Sequence, residues 1–225
     1  MQRIRILVLL LFTCLLITRL VGHAQDTVTS TKESVPPKLR IPRATWEPIF
    51  FDSINERARQ SKLANLRTYS VPPGDIEVRL WEGFGITRLQ GIRLQRTRGI
   101  WSGTWLSPAT EKFAGTDYKK PLPAPKSGWI LFWERLVQAG FTTRPDSSTL
   151  PDDDFVVRDG MSYVVEINRE RTYRTYCYEN PDMHKRWADK KMVELIKIID
   201  EEFRMKEITG AFYVETEKAA SAKKP

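Results

Sequence analysis

Cys177 and His184 are the residues of this chain nearest to a nucleophile and its base, since thiolate attack needs a neighbouring group to take the thiol proton. Local periodicity puts Cys177 at the end of a strand and His184 in the first turn of the helix after it, so the two can meet. No nucleophile elbow or oxyanion-forming turn surrounds Cys177, and a simply buried thiol explains the same pattern. Carboxylates offer a second chemistry, because two of them suffice for glycoside hydrolysis. Glu82, closing an aromatic strand, and Glu166, set among tyrosines, are the candidates, although a salt bridge or a tyrosine hydrogen bond accounts for each. Asp152-Asp153-Asp154 suggests calcium, a cation that wants several oxygens. Consecutive side chains diverge, however, and neither the alternating acidic pattern nor the closing Glu of a calcium loop is present, so a solvated turn is expected. Beyond residue 24 the chain has one histidine and one cysteine, too few for the usual zinc sets, and no metal site is expected. Gly83 and Gly85 lie in a strand pattern with no helix directly after them, so no phosphate-binding loop and no cofactor is expected either.

A binding surface is the other chemistry on offer. If Val78, Leu80, Ile92 and Leu94 point inward, then Arg79, Trp81, Arg93 and Gln95 project together from the opposite face of a sheet. Guanidinium groups beside an indole bind anionic or carbohydrate ligands by bidentate hydrogen bonds and stacking. A second layer of structure covering that face is the alternative.

The elements that must position these residues are legible from period and punctuation. Residues 46 to 65 predict a helix, with Thr45 as cap and Phe51, Ile54 and Ala58 at helical spacing. After Val71-Pro72-Pro73-Gly74-Asp75 the period changes to two, and a three-stranded meander runs to Leu106 with a turn at Thr97-Arg98-Gly99 and a bend or bulge at Gly83 and Gly85. A proline-rich connection over 107 to 126 leads to a helix whose Trp129, Phe132, Trp133 and Leu136 form an apolar stripe, ended by Gly140. That aromatic stripe reads as core packing before it reads as a ligand pocket. Met161 to Ile167 and Thr172 to Tyr178 predict a hairpin reversing over Asn168 to Arg171, with Tyr163 facing Tyr176, Val165 facing Arg174 and Glu166 facing Tyr173. Asn180-Pro181-Asp182 then opens a helix to about residue 203, residues 211 to 215 add an edge strand, and 216 to 225 form a disordered tail.

The first 24 residues read as a secretory signal: Arg3 and Arg5 precede an apolar run from Ile6 to Ile17, and Gly22 and Ala24 are small residues before a cleavage point. Arg19 interrupts the run early for a membrane anchor, and Phe12 fits a lipidation site poorly. Membrane contact is therefore expected only through this segment if it stays uncleaved. Residues 25 to 44, rich in Thr, Ser, Lys and Pro, form a flexible lead. The whole chain carries +8; without residues 1 to 24 its 36 basic side chains fall to 33 against 28 acidic ones, leaving +5. These charges are interspersed rather than gathered on a recognisable motif, which argues against nucleic acid as a partner. With one remaining cysteine there is no internal disulfide, so a core rich in Trp, Tyr and Phe must hold residues 45 to 215 as one domain.

Three stretches, Leu80-Trp81-Glu82-Gly83-Phe84-Gly85, Gly99-Ile100-Trp101-Ser102-Gly103 and Tyr173-Arg174-Thr175-Tyr176-Cys177-Tyr178-Glu179-Asn180-Pro181, resemble recurring segments of an uncharacterised family of exported bacterial proteins, over about residues 76 to 203. The resemblance implies a bacterial envelope setting and carries no catalytic residue. The expectation is an α+β fold, with an antiparallel sheet of five to six strands packed against three helices. The expected role is non-enzymatic: a periplasmic or secreted protein that binds a ligand, an envelope protein or an envelope polymer. The alternative is an envelope hydrolase using Glu82 and Glu166 or the Cys177 and His184 pair.

Overall fold

The computed structural model describes residues 47–69, 71–84, 89–107, 119–151 and 160–221. The leader, the lead to residue 44, Gly85 and the Asp152-Asp153-Asp154 turn lie outside them. Alternating apolar positions after the Pro72-Pro73 break form β1 (Ile76–Gly83), β2 (Gln90–Thr97) and β3 (Ile100–Leu106). Arg98 and Gly99, at φ 51° and 82°, make the two-residue turn between β2 and β3, a backbone shape whose twist matches that of the strands it joins. A short β4 (Lys119–Pro121) follows, and β5 (Ser162–Arg169) and β6 (Thr172–Glu179) form the second hairpin. Together they make one six-stranded antiparallel sheet in the order β4-β3-β2-β1-β5-β6. The fold is the expected α+β arrangement, with four helices among the described residues rather than three: α1 (Glu47–Gln60), α2 (Trp129–Gln138), α3 (Trp187–Phe203) and α4 (Met205–Ser221).

Val78, Leu80, Ile92, Leu94 and Trp105 face one side of the sheet with Val165, Ile167, Tyr176 and Tyr178, where they pack against apolar side chains of α2, α3 and α4. Trp81, Leu106, Val164 and Cys177 face the other side and meet Phe51 and Ile54 of α1. The central strand β1 is thus covered on both faces. The aromatic stripe of α2 is core: Trp129 and Phe132 pack on Phe203, and Trp133 on Phe141 and Trp101.

Four expectations change for identifiable reasons. The first helix stops at Gln60 because Lys62 adopts a left-handed φ of 51°, while Lys62 N–H and Leu63 N–H return to the carbonyls of Arg59 and Ala58. The hairpin reverses over two residues, Glu170 and Arg171, both at positive φ, so Tyr163 faces Tyr178, Val165 faces Tyr176 and Glu166 faces Thr175. Every predicted pair slides by two positions, and because the side-chain period is two, each residue keeps its face. Asn180 does not cap a helix: its side chain accepts the N–H of Met161 at 2.7 Å, closing the open end of the hairpin, and α3 starts only at Trp187. Residues 211 to 215 lie in α4, not in an edge strand, and this helix continues to Ser221 across the first part of the predicted tail. Met205, Ile208 and Phe212 recur at helical spacing along it, and Phe212 meets Trp105 edge-on at 5.2 Å.

Gly91 stands opposite Trp81 in the β1–β2 register, and the indole lies across the space a side chain would fill. A Cβ there meets Trp81 Cε3 at 2.7 Å and the Leu80 carbonyl at 2.9 Å. Gly91→Ala is expected to destabilise the chain by about 1–3 kcal/mol, measured by urea unfolding; a neutral result refutes this close packing.

Candidate functional site

The core that fills the space between sheet and helices is incomplete at one corner. Where α3 passes into α4, Arg204 at φ 54° turns the chain sharply, and the corner stands off the ends of β1 and β2 to leave a cleft of about 380 Å³. Leu80, Ile92 and Trp105 of the sheet form its apolar floor; Val193, Ile196, Ile199 and Met205 form its apolar wall. Glu82, Gln90, Asp200, Lys197, Lys206 and Thr209 supply the polar atoms. A mostly apolar concavity with a few convergent polar groups is the usual form of a small-molecule site, and this one is at the small end of the range.

Glu82 and Gln90 reach the cleft because they continue the inward alternation of Val78-Leu80 and of Leu94-Ile92, and they are register partners across β1 and β2. Gln90 Nε2 donates to Glu82 Oε1, which fixes the amide so that Gln90 Oε1 faces away from the carboxylate. That oxygen is buried and has no hydrogen-bond partner among the described residues. Burial pushes the Glu82 carboxyl above its ordinary value; the bond from Gln90 opposes the rise and the charge of Asp200 adds to it. Tyr163, the β5 register partner of Glu82, is pushed up to about 12, first by burial and then by the charges of Glu82 and Asp182. Lys206 Nζ lies 4.0 Å from Asp200, and Lys197 Nζ lies 3.8 Å from Glu201. Among the described residues no group of three His, Cys, Asp or Glu side chains assembles as a metal site.

The other candidates go elsewhere. Arg79, Trp81, Arg93 and Gln95 do share a face of the sheet, but α1 and the segment after it cover that face, leaving Arg79 1% and Trp81 0% exposed. Arg79 and Trp81 are therefore closed off, while Arg93 and Gln95 stay partly exposed, so the four do not present one open surface. Arg93 instead grips both oxygens of Glu77 at 2.8 and 2.9 Å, and Arg79 donates to Glu77 at 2.7 and 2.9 Å and to the Ala64 carbonyl at 2.8 Å. Burial works against the Glu77 charge, yet the Arg93 hydrogen bond and the charges of Arg79 and Arg93 outweigh it and hold the carboxyl below its ordinary value.

Glu166 lies on this same α1 side, accepting Trp81 Nε1–H at 2.7 Å and the Tyr173 hydroxyl at 2.8 Å. The sheet itself separates it from Glu82, so the two predicted carboxylates do not form an acid–base pair. Cys177 is sealed among Phe51, Ile54, Trp81 and Val164, and burial first, then the charges of Glu179 and Asp146, push its thiol well above the usual range. A fully enclosed, protonated thiol presents no nucleophile. His184 is partly buried in the turn segment between β6 and α3.

Asp200, Gln90 and Lys206 were not among the predicted residues. A usable signal existed for Glu82 and Gln90 jointly: both are polar at positions where the strand alternation calls for apolar ones. Nothing in the local pattern points to Asp200, which borders the apolar stripe of α3 and enters the cleft only through the α3–α4 corner. Compared with known proteins, the chain matches no family model, and neither the curated proteins nor the solved structures give a match.

Two outcomes follow from the opposed shifts. Because the folded-state value of Glu77 lies below its ordinary 4.5, its stabilisation is complete above that pH and fades as the pH falls through the folded-state value. Glu77→Gln should cost about 3–5 kcal/mol at pH 7 by leaving buried guanidinium charge uncompensated, and the gap from the unsubstituted chain should narrow below pH 4.5. Glu82 has the opposite sign: its folded-state value lies above 4.5, so stability is lost as the pH rises through that value. Glu82→Gln should therefore raise the melting temperature more at pH 7 than at pH 4, and equal shifts at both pH values refute the desolvated carboxyl.

Proposed function

We propose that this chain is an exported, non-catalytic binding protein of the bacterial envelope whose ligand is a small amphipathic molecule seated between the sheet and the α3–α4 corner. The observation that carries the binding role is the cleft itself: about 380 Å³ with an apolar floor and wall and its polar groups gathered around Glu82. Apolar lining supplies most of the affinity for a small ligand, while a few polar atoms set its orientation. The leader over residues 1 to 24 and the resemblance to exported bacterial proteins support the setting. A hydrolase built on Glu82 with Glu166, or on Cys177 with His184, is disfavoured because the sheet divides the first pair and burial removes the nucleophile of the second.

Val193 lines the cleft from α3 and is only partly buried, so a larger side chain there fills the cleft rather than overpacking the core. Calorimetric titration with 1-octanol, an uncharged amphiphile, is expected to give a dissociation constant of about 0.1–1 mM. Val193→Phe should weaken it about tenfold with the melting temperature held within roughly 2–4 °C. Undiminished affinity in this variant places the ligand elsewhere and removes the proposal. Mass spectrometry of the mature N-terminus tests export separately, the expected product beginning at Gln25.

A further inference from the structure

The polar end of the cleft is short of donors. Glu82 already takes the one donor that Gln90 turns towards it, and Gln90 Oε1 is left buried with no partner among the described residues. Asp200 contributes a second carboxylate to the same cleft. Of the two ammonium groups at the rim, Lys206 lies 4.0 Å from Asp200 and Lys197 lies 3.8 Å from Glu201, so each is drawn to an acid other than Glu82. From β5, Tyr163 is the titratable neighbour of Glu82, and its phenol stays protonated at neutral pH. A desolvated carboxylate with few donors is costly, and a ligand that supplies donors relieves that cost.

Resting on the reading of the cleft as a ligand site, we infer that its ligand carries a protonated primary amine on an apolar body, the ammonium group donating to Glu82 beside Asp200 while the apolar part covers Leu80, Ile92 and Trp105. An ammonium group offers three donors and no acceptor, which complements an end where two carboxylates outnumber the donors turned towards them. Its hydrogen bonds to carboxylate are charge-assisted and about twice as strong as neutral ones. An alcohol supplies one donor and no charge. A carboxylate ligand brings a further negative charge beside Glu82 and Asp200 and is rejected.

Titrating the full chain with octylammonium, 1-octanol and octanoate at pH 7 separates this inference from the reading beneath it, since the three probes share one apolar body. Octylammonium should bind about tenfold or more tighter than 1-octanol, with octanoate weakest. Glu82→Gln should remove most of the preference for octylammonium over 1-octanol and leave 1-octanol unchanged, its folding checked by melting temperature. Asp200→Asn, at a partly exposed position, should lower the amine preference by a smaller factor and serves as a second variant. If 1-octanol or octanoate equals octylammonium, or if the preference survives Glu82→Gln undiminished, the amine specificity is wrong and the cleft still binds. If none of the three binds, the ligand-site reading falls and the inference with it.

Discussion

Glu77 holds two guanidinium groups, Arg79 and Arg93, on the α1 side of the sheet, and the rest of the architecture depends on that one carboxylate. β1 is the central strand, with β2 on one side and β5 on the other, and its residues alternate between two covered faces. Glu77 and Arg79 on this strand have almost no route to solvent, and a buried charge persists only when it is paired and hydrogen-bonded. Glu77 lies on the same strand as Arg79 and opposite the β2 strand that carries Arg93, so the pairing is set by sheet register. The Arg79 bond to the Ala64 carbonyl ties the network to the segment after α1. Glu166, with Trp81 and Tyr173, extends the polar layer across to β5 and β6. This side of the sheet is therefore a mixed polar and apolar layer closed under α1.

The opposite side is closed differently and less completely. α2, α3 and α4 bring Phe132, Leu136, Leu195, Ile199, Phe203 and Phe212 onto the sheet. α3 and α4 are joined by a single left-handed residue, Arg204, so the chain makes a corner instead of running straight over β1 and β2. A corner covers a flat surface poorly, and the uncovered part becomes the cleft. Its polar residues come from β1, β2, α3 and α4, elements distant in sequence, and Glu82 is placed in it by the same alternation that places Leu80 in the core. The two carboxylates of β1 thus have opposite fates by one parity step: Glu77 is neutralised under α1, whereas Glu82 is desolvated with too few donors.

How far the sequence could be read follows from the range of each signal. Strands of the meander and the second hairpin were legible because period-two alternation is local, and so was the end of α2, where Gly140 takes the left-handed position. The fate of residues 211 to 215 was misread because Phe212, Tyr213 and Val214 favour strand locally, while the helix is held by Phe212 meeting Trp105, a contact across more than a hundred residues. Asn180-Pro181-Asp182 has the composition of a helix start, but the Asn180 side chain is engaged by the N–H of Met161, the residue before β5. In each case a non-local partner overrode a sound local preference.

By itself the sequence determined the α+β class, the alternation of faces and the scarcity of thiol and imidazole groups beyond residue 24, since composition and period are properties of the chain alone. It also determined that Arg79, Trp81, Arg93 and Gln95 share a face. Only the tertiary structure decided that Arg79 and Trp81 on this face are closed off, because burial depends on which layer packs above it, and α1 arrives from outside the sheet. Likewise, Glu82 and Glu166 are equivalent as letters. The sheet makes one a satisfied acceptor under α1 and the other a desolvated acid in a cleft, because a strand sends successive side chains to opposite sides and only packing distinguishes those sides.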